Sequence, residues 1–256
     1  MADLVPTTSE IPLDLKTRIK NSYDAIAPTY NTWTESHFAV RRRYLTKLLD
    51  LLPPPPHHDS PPAGQPESTS NSSPTTLTAL ELGCGAGVPA TEMLLAASDG
   101  GVHVTANDLS ATQIALGKER FPTETESGRV VWLEGDMMAL EFPPGSFDVV
   151  VGLYSVIHLP REEQVVMMQR IATWLKPGGV VLVNFGREEM EGAVAKRWLG
   201  EDKGWMYWSG WGEEKTLEMV RGDAGLEVLV HEVTERNGGD AEFLWVIARR
   251  SGSEDV

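Results

Sequence analysis

The segment TLTALELGCGAG, residues 76–87, constrains the fold of this 256-residue chain more than any other stretch. Its leucines suit a buried strand of a parallel sheet. Gly83, Gly85 and Gly87 lack a Cβ where the chain must turn sharply and approach a ligand at backbone distance. Residues 88–97 are typical of the helix that follows. The segment therefore predicts a strand, a turn and a helix N-terminus whose free backbone N–H groups face a nucleotide-sized ligand.

Two kinds of ligand suit such a turn. Gly85, Gly87 and Ala90 match the G-x-G-x-x-A pattern of dinucleotide-binding folds, and Asp108 has the spacing of their ribose-binding carboxylate. Glu81, just before the turn, argues against that ligand because its carboxylate would repel a pyrophosphate. It suits a ligand that carries an ammonium group, and S-adenosylmethionine is such a ligand.

Five motifs follow one another along the chain. They are ELGCGAG at 81–87, DLS at 108–110, EGDM at 134–137, FDVV at 147–150 and LKPGG at 175–179. In this order they resemble the class I S-adenosylmethionine-dependent methyltransferases, and among them the small-molecule branch of ubiquinone-biosynthesis-type enzymes (methyltransferase types 11 and 25). The resemblance covers most of residues 14–250. It implies an α/β, Rossmann-like, doubly wound and mostly parallel seven-stranded sheet with an antiparallel last strand.

The hydrophobic pattern favours the same class of fold. Strands are predicted at 102–107, 130–134, 147–153 and 179–185, and helices at 110–120, 161–175 and 213–222. Strands that alternate with helices indicate a parallel sheet. Strand-like residues 226–234 and 242–249 flank a turn at 237–240, which predicts a hairpin. An antiparallel last strand distinguishes the methyltransferase sheet from the dinucleotide-binding sheet.

The chain divides into four predicted regions. Residues 1–52 form an N-terminal helical cap with helices at 14–30 and 37–52, and residues 53–76 form a Pro/Ser-rich loop that is predicted to be disordered. Residues 77–250 form the cofactor-binding core, with a lid insert at 186–215, and residues 251–256 form a tail. His57 and His58 in the loop have no third ligand nearby, so no metal site is predicted.

Composition excludes several classes of partner. The net charge of −15 and the pI of about 4.8 oppose binding to phosphate backbones, so no nucleic acid is expected. No apolar stretch approaches the length of a membrane span, and the first residues lack the pattern of a signal peptide. A single cysteine, Cys84, gives neither a disulfide nor a Cys-pair zinc site. We expect a soluble cytoplasmic protein, and the sequence does not indicate its oligomeric state.

The resemblance implies a set of cofactor-binding residues. Asp108, at the end of the second strand, accepts the ribose hydroxyls, with an N-cap for the helix near Ser110 as the alternative. Asp136 resembles the residue that accepts the adenine amino group, with a simple loop carboxylate as the alternative. Arg41 either binds the methionine carboxylate or is solvated. The full set is Tyr23, Tyr30, Arg41, Glu81, Gly83, Cys84, Gly85, Asp108, Leu109, Gly135, Asp136, Met137 and Leu153.

His158 is the candidate catalytic residue. It follows the fourth strand at the sheet edge that faces the acceptor, and the reference pKa of histidine, about 6.5, suits proton removal at neutral pH. The alternative is that it only caps or packs. Methyl transfer from a sulfonium is an in-line displacement that proximity accelerates strongly, so the base is modest or absent.

The insert at 186–215 is rich in aromatic residues. It either packs onto the domain or covers an apolar or flat acceptor as a lid. Trp208 and Trp211 are three residues apart and would share one face of a helical turn, with Tyr207 pointing away. The predicted acceptor-binding residues are Tyr154, Trp205, Tyr207, Trp208 and Trp211.

The predicted function is transfer of a methyl group from S-adenosylmethionine to a small apolar or aromatic molecule, with oxygen favoured over nitrogen, sulfur or carbon. A nicotinamide-dependent oxidoreductase is one alternative, which Glu81 and the final hairpin disfavour. A methyltransferase-like interaction protein that binds the cofactor without turnover is the other.

Overall fold

The computed structural model describes residues 5–6, 11–52, 76–97, 101–234 and 242–252. The predicted turn at 237–240 and nearly all of the 53–76 loop, with His57 and His58, lie outside these ranges, as does most of the 251–256 tail. No helix in the described ranges has the length and apolar character needed to cross a membrane.

A seven-stranded sheet forms the centre of the molecule. Its strands are β2 (Leu77–Leu82), β3 (Val102–Asp108), β4 (Val130–Glu134), β5 (Phe147–Gly152), β6 (Leu175–Gly186), β9 (Glu227–Val233) and β10 (Phe243–Arg249). The spatial order is β4-β3-β2-β5-β6-β10-β9, and β10 is antiparallel to both of its neighbours while β2 to β6 are parallel. The predicted fold class is confirmed, including its antiparallel last strand.

Helices cover both faces of this sheet. They are α1 (Leu15–Thr34), α2 (Phe38–Leu49), α3 (Ala90–Ala96), α4 (Ala111–Arg120), α5 (Pro122–Glu126), α6 (Arg161–Trp174) and α7 (Gly212–Glu218), which a π-helix over Met219–Asp223 continues. α1 runs four residues past its predicted end despite Pro28. β6 begins at Leu175, earlier than predicted, because its LKPGG segment pairs with Phe147 through an irregular register.

Alternation along each strand divides the core into two clusters. Ala79 of β2 packs with Leu45 of α2 and Leu94 of α3 on one face, whereas Leu80 packs with Ile171 of α6 on the other. Successive side chains of a strand point to opposite faces, so strands buried on both faces read as continuous apolar runs. This is why the central strands β6 and β10 contain runs of consecutive apolar residues, whereas β3 and β4 nearer the edge alternate.

A small antiparallel sheet follows β6. It consists of β1 (Val5–Pro6), β7 (Glu189–Ala195) and β8 (Met206–Trp211), in the order β1-β7-β8. Leu15 and Ile19 of α1 form a buried cluster with Val194 and Tyr207 of this sheet. The insert therefore holds α1 in place beside the carboxyl ends of the parallel strands.

The predicted helical turn at Trp208 and Trp211 is wrong. Both residues lie on β8, where they are opposite Ala193 and Glu189 of β7. Residues three apart on a strand point to opposite faces, so the two indoles do not form a common wall.

Candidate active site

A cleft lies at the carboxyl ends of β2, β3 and β5, where the strand order reverses. Ligands of doubly wound sheets bind at such a switch point. A second lobe opens beside Glu81 and shares several of the lining residues. Together the two lobes include all the predicted cofactor residues: Tyr23, Tyr30, Arg41, Glu81, Gly83, Cys84, Gly85, Asp108, Leu109, Gly135, Asp136, Met137 and Leu153.

The glycine turn forms the floor of the cleft. Gly83 has a φ of +72°, and a Cβ there would collide with the side chain of Ser155. Gly85 has a φ of +55°, and the nearest atom to a Cβ there would be Gln113 Oε1 at 3.9 Å. The first glycine is required by close packing, whereas the second leaves open space toward the cleft that a ligand can fill.

Asp108 is fixed by two backbone N–H groups. Its Oδ2 accepts from Gly85 N at 2.8 Å, and its Oδ1 accepts from Ser110 N at 2.8 Å. The helix-cap alternative for Asp108 is wrong, because Ser110 caps α4 by accepting from Gln113 N at 3.2 Å. Burial raises the pKa of Asp108 to about 6. Each carboxylate oxygen of Asp108 keeps a further lone pair, so the two oxygens can accept two ribose hydroxyls.

Glu81 and Arg41 line the second lobe from opposite chain segments. Glu81 is 5% exposed and accepts a short hydrogen bond from the hydroxyl of Thr91, and burial raises its pKa to about 8. Arg41 is 7% exposed, so it is not the solvated arginine of the alternative. Its Cζ lies 4.6 Å from the centre of the Tyr154 ring, and its buried Nε has no hydrogen-bond partner among the described residues. The Glu81 carboxylate suits the ammonium end of an amino acid, and the Arg41 guanidinium suits its carboxylate end.

Asp136 has partners of its own. Its Oδ1 accepts from Met138 N at 2.9 Å, and its Oδ2 lies 2.8 Å from Nζ of Lys16, which also pairs with Glu163 at 2.8 Å. An adenine amino group at Asp136 must therefore share the carboxylate with Lys16. The adenine role stays a prediction.

His158 and Tyr23 form a hydrogen-bonded pair at the cleft. His158 Nδ1 lies 2.7 Å from the carbonyl oxygen of Tyr207, which can only accept, so Nδ1 carries the hydrogen. Nε2 is then unprotonated and accepts from the Tyr23 hydroxyl at 2.9 Å. Burial lowers the pKa of His158 to about 4 and raises the pKa of Tyr23 well above its ordinary value. Both groups are neutral at pH 7.

The predicted acceptor residues separate into two groups. Tyr154 lines the cleft with a φ of +56°, and the Trp208 ring lies 6.0 Å from that of His158. The other three do not line the cleft. Trp205 packs against Arg18, Tyr207 donates its hydroxyl to the Glu191 carbonyl, and the Trp211 indole donates to the Arg161 carbonyl. Their contact with the acceptor stays a prediction, because the contacts of these three side chains in the structure are with Arg18 of α1, Glu191 of β7 and Arg161 of α6.

Several cleft residues escaped sequence reasoning, and three of them are polar side chains that bear on ligand binding. Lys16 reaches the cleft from the first turn of α1, and Ser155 packs on Gly83. Gln113, on the first turn of α4, is 1% exposed and both atoms of its amide lack partners among the described residues. Its position five residues after Asp108 was the available signal, because the first turn of the helix after the second strand faces the glycine turn.

These features fit S-adenosylmethionine. Gly85 and Gly135 have open space beside them, and Glu81 supplies a carboxylate for an ammonium group. Arg41 and Gln113 offer buried polar atoms that have no partner within the part of the chain that the structure describes. A pyrophosphate would meet the Glu81 and Asp108 carboxylates instead. The cleft is thus a poor site for a nicotinamide dinucleotide.

A family model described as a methyltransferase domain matches residues 79–179. The match covers the glycine turn, Asp108, Asp136 and His158. This stretch is a methyltransferase domain, and the fold is the one that class I S-adenosylmethionine-dependent methyltransferases share. S-adenosylmethionine is the methyl donor of this family.

The relatives differ in acceptor. A sterol 24-C-methyltransferase from Gibberella zeae is 34% identical over 101 residues, which are 40% of this chain and 25% of that protein. A 27-O-demethylrifamycin SV methyltransferase from Amycolatopsis mediterranei is 37% identical over 100 residues, 39% of this chain and 35% of that protein. The alignments thus span only a quarter to about a third of these relatives.

A solved structure resembles nearly the whole fold. The 1,6-didemethyltoxoflavin-N1-methyltransferase from Burkholderia thailandensis, with bound S-adenosylhomocysteine, has a TM-score of 0.68 and 16% identity. The likeness covers 97% of this chain and 95% of that one. The three proteins are named for a carbon, an oxygen and a nitrogen acceptor. The likeness to these proteins therefore leaves the acceptor atom open.

Proposed function

We propose that this methyltransferase methylates an oxygen atom of a small apolar or aromatic molecule, and that Tyr23 and His158 remove the proton of the accepting hydroxyl. The observation that carries the proposal is the hydrogen bond from Tyr23 to the unprotonated Nε2 of His158, 2.9 Å long, at the edge of the cofactor cleft. A hydroxyl acceptor must lose a proton as it gains a methyl group. This pair provides a route for that proton.

The cofactor-binding side chains have separate roles. Glu81 holds the ammonium group and Arg41 the carboxylate, because these two side chains line the lobe next to the glycine turn. Asp108 accepts the ribose hydroxyls, and Asp136 with Met137 borders the adenine. When bound, S-adenosylmethionine supplies an electrophilic methyl group on a sulfonium.

The proton moves in two linked transfers. As the acceptor oxygen bonds to the methyl group, its proton passes to the Tyr23 oxygen and the Tyr23 proton passes to Nε2 of His158. The imidazolium that forms keeps its Nδ1–H on the Tyr207 carbonyl. A pKa of about 4 makes His158 a weak base, so positioning of acceptor and cofactor, which can supply about 7 to 11 kcal/mol, remains the larger contribution.

A series of phenols of graded acidity tests the proton route. We expect His158→Ala and Tyr23→Phe to reduce turnover of weakly acidic phenols by about a hundredfold or more, since general bases contribute roughly 10² to 10⁴. Phenols already ionised at the assay pH should be affected far less. Tyr207→Phe is the matched control, because it removes a nearby hydroxyl but keeps the backbone carbonyl that orients His158.

Other outcomes lead to other functions. Equal losses for acidic and weakly acidic phenols would show that the pair is structural. Tight binding of S-adenosylmethionine without methyl transfer to any oxygen, nitrogen, sulfur or carbon acceptor would favour the interaction protein. Binding of reduced nicotinamide cofactor in a fluorescence titration, without binding of S-adenosylmethionine, would favour the oxidoreductase.

A further inference from the structure

The indole of Trp198 lies within a group of four aromatic rings beside the cleft. Its centre lies 6.1 Å from Tyr23, 5.7 Å from Tyr30, 5.5 Å from Trp33 and 5.7 Å from Trp208. We call these four rings and the indole the aromatic slot. Two of its members, Tyr23 and Tyr30, also line the cofactor cleft. Trp198 thus occupies a space that connects directly with the site of chemistry.

The backbone around Trp198 is strained. Arg197 and Leu199, on either side of it, have φ values of +55° and +57°, in the left-handed region that residues other than glycine rarely adopt. Such strain persists only where the surrounding structure maintains it, and it is common at clamps and switches. The strain at both neighbours of Trp198 therefore singles out this turn as a place where the indole can give way to a ligand.

Hydrogen bonds to α1 hold the segment that follows the indole. Ser22 of α1 donates to the Lys203 carbonyl at 2.9 Å and accepts from Trp205 N at 2.8 Å, and Thr29 donates to Glu201 at 2.7 Å. The turn that carries Trp198 is thus tied to α1 through side chains of that helix, next to the rings of Tyr23 and Tyr30.

The aromatic slot is apolar and uncharged. All four rings around Trp198 are uncharged, and the neighbouring Arg197 and Asp202 form an exposed ion pair of 2.9 Å, with side chains 70% and 87% exposed. A group that replaces the indole must match its flat shape and lack of charge. Flat ring systems gain from offset and edge contacts with aromatic side chains in a way that aliphatic rings of equal size do not.

We propose that Trp198 occupies the place of the methyl acceptor, and that the acceptor is a planar, uncharged aromatic molecule that binds by displacing this indole. The proposal rests on the proposed function, since it identifies the acceptor class for the same site. In this position the acceptor lies against the ring of Tyr23, whose centre is 6.1 Å from that of the indole and whose hydroxyl bonds to His158.

Binding of three probes tests the proposal. The full chain, saturated with S-adenosylhomocysteine, is titrated calorimetrically with 2-naphthol, with decahydro-2-naphthol as an aliphatic match, and with tetramethylammonium. We expect 2-naphthol to bind about tenfold more tightly than its aliphatic match, a difference of ~1.4 kcal/mol. Equal binding of 2-naphthol and decahydro-2-naphthol would overturn the proposal. Preferential binding of tetramethylammonium would also overturn it, because an aromatic cage is suited to a cation as well.

Trp198→Ala separates displacement from simple packing. Removing the indole that competes for the aromatic slot should tighten 2-naphthol binding by about tenfold, and Trp198→Phe should give an intermediate gain if the alanine variant folds poorly. Trp211→Ala is the matched control, since its indole packs on Arg161 outside the aromatic slot. Weaker 2-naphthol binding in both Trp198 variants, with the fold intact, would show that the acceptor does not take the place of the indole.

These binding measurements require no turnover. If 2-naphthol binds as expected but is never methylated, the proposed function fails while the aromatic slot stands. If methylation of hydroxyl acceptors is observed but 2-naphthol and decahydro-2-naphthol bind equally well, the planar aromatic acceptor is wrong while the proposed function stands.

Discussion

Cofactor affinity should rise with pH because Glu81 must ionise to hold an ammonium group. Burial raises the pKa of Glu81 to about 8, with the charge of Asp108 as a further cause. Below that pKa, each pH unit lowers the ionised fraction about tenfold, which corresponds to about 1.36 kcal/mol of binding free energy. We expect the dissociation constant of S-adenosylmethionine to fall about tenfold between about pH 6.5 and 7.5, a window in which an α-amino group stays largely protonated.

The free energy of unfolding of the cofactor-free protein should fall, not rise, as the pH increases over this range. Glu81 has a folded-state pKa above its ordinary value of 4.5, so its contribution is complete below that value and is lost as the pH rises toward about 8. His158 gives the reverse trend at lower pH. Its pKa is lowered from 6.5 to about 4, so stability is present above about pH 6.5 and is lost as the pH falls through about 4.

Calorimetric titration across this window, with two variants, checks the assignment. Glu81→Gln should bind the cofactor weakly and lose the pH dependence above about pH 6.5, leaving only the contribution of Asp108 near its pKa of about 6. Thr91→Val removes the hydrogen bond that lowers the pKa of Glu81, so the rise in affinity should move to higher pH. Identical pH profiles for Glu81→Gln and the wild type would show that ionisation of Glu81 does not control cofactor affinity.

Three further predictions concern single side chains. Asp108→Ala should weaken cofactor binding at least roughly a hundredfold, because two charge-assisted bonds of about 1.5 kcal/mol or more are lost, and Asp108→Asn should fall in between. A calorimetric affinity within about threefold of wild type would contradict the ribose role. Arg41→Met should weaken binding of S-adenosylmethionine but not of its decarboxylated analogue, and equal losses would exclude a carboxylate contact. Trp208→Ala should lower turnover while cofactor affinity changes little, whereas Trp211→Ala should lower only the melting temperature; wild-type turnover in Trp208→Ala would separate that ring from the acceptor.

The sheet and the cofactor cleft were predictable because their signals are local. The glycine turn, Asp108 and Asp136 each end a strand, and parallel strands bring their carboxyl ends to one edge of the sheet. The residue order alone therefore placed these groups together. Their separate roles depend on polar contacts that no local pattern encodes, such as the pairing of Asp136 with Lys16.

The acceptor side was less predictable because it depends on contacts between distant segments. Tyr23 and His158 are 135 residues apart and meet only because the insert holds α1 against the sheet edge. Spacing suggested a helical turn for Trp208 and Trp211, but pairing with β7 made it a strand and separated the two indoles. Arg41 looked solvated within a run of arginines, yet the rotation of α2 buries it against Tyr154.

Transfer of a labelled methyl group is the most direct test of whether this protein methylates an aromatic hydroxyl. The protein is incubated with S-adenosylmethionine that carries a deuterated methyl group and with 2-naphthol, and the products are analysed by mass spectrometry. We predict a naphthyl methyl ether that carries the label, formed by the wild type and lost with Asp108→Ala. Labelled product that persists undiminished with Asp108→Ala would contradict the assignment of the cofactor site. Binding of S-adenosylmethionine with no labelled product from a broad panel of hydroxyl, amine, thiol and carbon nucleophiles would contradict methyl transfer.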